Sequence, residues 1–160
     1  MSGAHGLEVV MDNRSGMEID LESAALNATA VMVRMGFRNG ELGLSFVTAE
    51  EMAQLNGTHL GREGPTDVLS FAIDVDDPVS REENESGLPV LLGDVVICPQ
   101  VAREQAAGLD TTFEEEICLL LIHGILHIAG HDHETDAGEM QKLQDDLFDS
   151  LCTDRQIGPE

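Results

Sequence analysis

The chain has 160 residues, a length that suits one domain with a real hydrophobic core. Its net charge of −23 at pH 7 argues against binding nucleic acid by general surface attraction, because that mode needs cations to neutralise phosphates. No window approaches a membrane span, no basic region followed by an apolar run opens the chain, and the scattered Cys98, Cys118 and Cys152 make no disulfide framework and suit a reducing cytosol.

Taken in order, the chain alternates strands and helices. Leu7, Val9 and Met11 alternate with Glu8 and Asp12, which predicts a strand over Gly6 to Asn13. Asp20 to Gly36 reads as a helix, since Leu21, Ala24, Ala25, Ala28, Val31, Met32 and Met35 recur at helical spacing. Leu42, Leu44 and Phe46 alternate with Glu41, Gly43 and Ser45 in a second strand. Thr48-Ala49-Glu50-Glu51 is a capping box opening a short helix to about Leu55. Asn56 to Pro65 reads as a loop. Val68 to Ile73 is apolar between polar turns and reads as a buried strand. An acidic surface loop is expected at about 74–87.

Val90 to Cys98 is a further strand, and Pro99 can open a helix to about Ala107. Thr112-Phe113-Glu114-Glu115 is a second capping box. The helix it opens, to about Ala129, is apolar on nearly all sides from Ile117 on, so it should be buried and central. A last helix is expected over about Asp136 to Leu151, and the residues from Asp154 to Glu160 look frayed. Arg34, Arg38, Arg62 and Arg103 are the cations available to line a cleft despite the net charge, because screening shortens the reach of distant acids to ~8 Å at physiological salt.

Four of the six histidines fall in His123-Gly-Ile-Leu-His127-Ile-Ala-Gly130-His131-Asp132-His133. On a helix His123 and His127 are one turn apart on one face, close enough to share an ion. Gly130 can end that helix in the left-handed conformation and let His133 return to the open side of the pair. Three imidazoles with no fourth protein ligand describe a catalytic zinc site, with a position left for water. The spacing matches the H-E-x-x-H-x-x-G-x-x-H of zinc peptidases, except that Gly124 stands where their general-base Glu stands.

The histidine block resembles the H-G-x-L-H-L-x-G-Y-D-H signature of the YbeY family, bacterial zinc-dependent endoribonucleases also described as ribosomal RNA maturation factors. Pro65-Thr66-Asp67-Val68-Leu69-Ser70-Phe71 is similar to the family's P-T-D-V-L-S-F block, and Leu92-Gly93-Asp94-Val95-Val96-Ile97-Cys98 to its L-G-D-I-x-I-C segment. The resemblance runs from about residue 40 to about residue 150. His131 stands at the family's tyrosine slot. Leu60 stands where the family often has an arginine thought to contribute to activity, and Arg62, two residues on, is the substitute at hand.

Together these readings predict one α/β (α+β) domain over residues 1–160: a mixed sheet of about four strands, about five helices, and a buried central zinc-binding helix. The resemblance implies a zinc-dependent, single-strand endoribonuclease of the cytoplasm, acting in small-subunit ribosomal RNA maturation and ribosome quality control. Precursor ribosomal RNA is its substrate and ribosome-associated proteins its possible partners, with no membrane association. His123, His127 and His133 are the ligands of one zinc ion. Asp132 either hydrogen-bonds a ligand's second nitrogen or accepts a proton from zinc-bound water, which becomes the nucleophile. Arg62 is the candidate cation. The alternatives are a zinc hydrolase of peptides or small esters, and a binding protein whose zinc is structural.

Overall fold

The computed structural model describes residues 6–73, 91–130 and 138–153. The acidic loop at about 74–87, the tail from 154, and His131, Asp132 and His133 lie outside the described residues. A four-stranded mixed sheet forms the centre, with β1 (Leu7–Asn13), β2 (Gly40–Phe46), β3 (Val68–Ala72) and β4 (Leu91–Ile97). Its order is β1-β2-β4-β3. The β1–β2 and β2–β4 pairs are parallel, while β3 runs antiparallel to β4.

Periodicity explains the burial. In β2, Gly40, Leu42, Leu44 and Phe46 are buried while the residues between them are half-buried, as an alternating strand requires. From Val95 to Ile97 of β4, every residue is buried, because this inner strand is covered on both faces. Val95 and Ile97 join a large cluster with Leu42, Leu44, α1 (Leu21–Arg34) and the histidine-bearing α4 (Phe113–Ile128). Val96 and Leu69 turn to the opposite face, against Met52 of α2 (Ala49–Leu60).

Capping residues place the helix starts. Asp20 accepts from Ser23 N–H, and Thr48 from Glu51 N–H. Thr112 and Glu115 bond reciprocally at the start of α4. Pro99 opens α3 (Pro99–Leu109). The last helix is α5 (Glu139–Phe148), followed by a π-helical turn over Asp149–Thr153.

Two expectations are corrected. The helix predicted to end near Leu55 continues to Leu60, so His59 and Leu60 occupy its last turn instead of a loop. Asn56 and Gly57 do not break it: Asn56 is 4% exposed and its amide donates to Gly64 O at 2.9 Å, which folds the following loop back onto the helix. Gly61, at φ 66, ends it. Second, Cys118 and Cys152 form a disulfide across 34 residues. The turn after α5 packs beside α4 and brings their Cα atoms to 6.3 Å, within bonding range. The cysteine argument for a reducing compartment falls with that bond, and Cys98 alone is a free thiol. No helix among the described residues is long and apolar enough to cross a membrane.

Candidate metal centre and cleft

Helix α4 is almost wholly buried from Glu116 to Ile128. The half-buried positions in that span are Leu119, His123 and His127, spaced four apart, so one stripe of an otherwise packed helix opens outward. Helical spacing alone stacks the two imidazoles. Their rings meet edge to face with centroids 4.7 Å apart, and the two Nε2 atoms approach to 3.2 Å. The helix then stops as expected, with Gly130 at φ 101 and its N–H donating to His127 O.

The donor set fits a divalent ion. Two zinc–nitrogen bonds of ~2.0–2.1 Å at the tetrahedral angle place their nitrogens about 3.3–3.4 Å apart. The observed 3.2 Å separation meets that requirement with little movement. Among the described residues no third His, Cys, Asp or Glu joins the pair. His133 and Asp132, expected beside this pair from the sequence, lie outside the described residues.

Both histidines line a cleft of about 680 Å3, with His59, Arg62, Asp67, Gly130 and the whole of β3. That volume falls in the usual range for ligand sites. Among the described residues β3 is an edge strand. Ile73 N–H donates to Leu92 O and Cys98 N–H to Asp67 O, so alternate residues of this segment bond to β4. Val68, Ser70 and Ala72 consequently turn their backbone groups away from β4. The Ser70 hydroxyl donates to Gly124 O at 3.0 Å and binds the strand to the histidine helix. Gly124 lies against Val95, so the H-G-x-L-H, P-T-D-V-L-S-F and L-G-D blocks form one packed unit.

Of the four arginines considered for a cleft, Arg62 lines it and the others do not. Arg34 donates to Ser150 Oγ, and Arg103 lies over the Phe113 ring at 5.1 Å. Arg38 follows α1, near the start of β2.

Three contacts in or beside the cleft escaped the sequence reading. Gln144 of α5 places Oε1 2.8 Å from His123 Nδ1. The only sequence trace of it is a glutamine set among the apolar positions Met140, Leu143 and Leu147. His59 stacks edge-on against Phe71 at 5.0 Å, which nothing in their 12-residue separation announces. Asp67 lines the cleft, its carboxylate accepting from Val68 N–H at 2.7 Å. Burial, which disfavours its charge, and secondarily repulsion from Asp67 raise the pKa of the Glu116 carboxyl above its ordinary value.

The family model for endoribonuclease YbeY matches residues 12–152. The Streptomyces coelicolor protein named endoribonuclease YbeY is 38% identical over 159 residues, covering 96% of each chain. Those of Acidothermus cellulolyticus and Frankia alni are 39% and 41% identical, covering 94% and 92% of this chain and 95% and 84% of their own. The solution structure of TM1509 from Thermotoga maritima superposes with a TM-score of 0.66 at 25% identity, over 94% of this chain and 93% of that one. With the family model and these relatives each spanning most of its length, the chain belongs to the endoribonuclease YbeY family.

Proposed function

We propose that this protein is a zinc-dependent endoribonuclease cutting single-stranded RNA, with its 160 residues forming a single YbeY-like metalloprotein domain. The observation that carries the metal reading is the 3.2 Å approach of His123 Nε2 to His127 Nε2 on the wall of a cleft. The endoribonuclease names of its relatives carry the RNA reading. His123, His127 and His133 would hold one zinc ion. When bound, such an ion supplies Lewis-acid chemistry: it polarises a phosphoryl oxygen and makes water acidic enough, with a pKa near ~7, to act as a nucleophile at neutral pH.

The chain's own residues do the rest. With an ion bound, the two stacked imidazoles would both turn Nε2 lone pairs to it. Asp132 either holds a ligand's second nitrogen or accepts the proton of the attacking water. Arg62 meets a phosphate of the RNA strand. The outward backbone groups of Ser70 and Ala72, with the Val68 carbonyl, receive an extended chain along β3; Val68 N–H is already held by Asp67. Precursor ribosomal RNA of the small subunit is the proposed substrate, in maturation and ribosome quality control, with ribosome-associated proteins as partners and the cytoplasm as the site of action.

A peptidase is disfavoured because position 124 faces the sheet and has no room for a general-base carboxylate. The test is substitution of each ligand. His123→Ala, His127→Ala and His133→Ala should each strip zinc, by elemental analysis, and abolish cleavage of a single-stranded ribosomal RNA substrate. Full metal content in these variants refutes the ligand set; cleavage that survives zinc removal refutes the chemistry.

A further inference from the structure

His123 is gripped from both sides. Its Nε2 faces His127 Nε2 at 3.2 Å, and its Nδ1 faces Gln144 Oε1 at 2.8 Å. A carbonyl oxygen only accepts, so the ring nitrogen opposite it must carry the proton. A neutral imidazole has one N–H. With that proton on Nδ1, His123 Nε2 carries the lone pair, on the side where the second imidazole converges.

Gln144 is well placed to hold that arrangement. It lies four residues after Met140 and three before Leu147, both 1% exposed, on the face by which α5 packs into the core. The apolar residues on either side fix the helix, and the glutamine side chain spans from it to α4. The disulfide from Cys118 to Cys152 joins α4 to the turn that follows α5.

We propose that Gln144 is a positioning residue of this centre: it fixes His123 in the Nδ1–H tautomer and so presets Nε2 as a metal donor. The inference rests on the metal reading above. It assigns to α5, the helix that follows the histidine block, the role of orienting the first ligand. A partner that orients a ligating histidine is worth about 10–100-fold in metal affinity when removed.

Two variants test it. Gln144→Met keeps the length and packing of the side chain but offers no oxygen acceptor. Gln144→Glu keeps the acceptor. Zinc affinity is measured by competition with a chromophoric chelator, and the His123 tautomer in metal-free protein by long-range 1H–15N spectra. Thermal melts check that each variant folds.

Gln144→Met should bind zinc about 10–100-fold more weakly and shift His123 toward the Nε2–H form, while Gln144→Glu restores both. Unchanged zinc affinity and an unchanged ring spectrum in Gln144→Met overturn the proposal, as does a Gln144→Glu variant as impaired as Gln144→Met. Wild-type protein that binds no zinc sinks the functional reading instead, and the tautomer shift then decides the role of Gln144 by itself.

Discussion

Position 124 has no side chain because no room exists for one. A Cβ there would lie 2.7 Å from Val95 Cγ1 and 3.1 Å from the Ser70 hydroxyl. Val95 is fully buried and cannot swing aside. The glycine thus lets α4 press against the sheet, setting the flanking His123 beside the β3 edge. Gly124→Ala gains at most ~1 kcal/mol of helix propensity and loses ~1–3 kcal/mol to overpacking. At the middle of the overpacking range, a net destabilisation of about 1 kcal/mol should appear in urea unfolding. An unmoved midpoint would mean that the helix can stand off from the sheet. At this scale much was legible: His123, His127 and the stop at Gly130 came from spacing alone, since 3.6 residues per turn is a local property. Gln144 was not, because its role depends on which helix packs beside α4.

Among the elements, α5 changes most between sequence and structure. Periodicity marked its apolar positions, and Met140 and Leu147 are indeed buried. Periodicity could not say what they pack against. The answer, the flank of α4, also brings Cys152 to Cys118. Opening that bond frees a loop of 34 residues in the unfolded chain. The chain-entropy relation puts the resulting loss of stability at about 3–4 kcal/mol. Urea titrations of wild type with and without dithiothreitol, and of Cys152→Ser, should show it. Equal midpoints in all three would refute a stabilising disulfide. The extra turns of α2 have a similar origin: Asn56 and Gly57 favour loops in isolation, and the bond from Asn56 to Gly64 O fastens the loop to a helix that continues past both.

Across the whole molecule the acid excess dominates. A net charge of −23 on 160 residues means that folding gathers like charges. Salt shortens their reach, from a Debye length of ~10 Å at 0.1 M to ~3 Å at 1 M. Thermal stability should therefore rise between low-salt buffer and molar potassium chloride; a falling or flat melting temperature would show that the acids are already compensated. The cleft departs from this background, since Arg62 and the imidazoles of His59, His123 and His127 face it alongside Asp67.

The sequence by itself determined the alternation of strands and helices, the burial of the histidine helix, the stacking of His123 on His127, and the family resemblance. All of these depend on neighbours within a few turns of chain or on short blocks of residues. Only the tertiary structure decided the strand order β1-β2-β4-β3, the edge position of β3 among the described residues along the cleft, the cleft role of Arg62 over three other arginines, the Cys118–Cys152 bond, and the contact of Gln144 with His123. The reason is physical: those features join residues far apart in the chain, and their proximity is set by which apolar faces bury one another, a property of the packed whole.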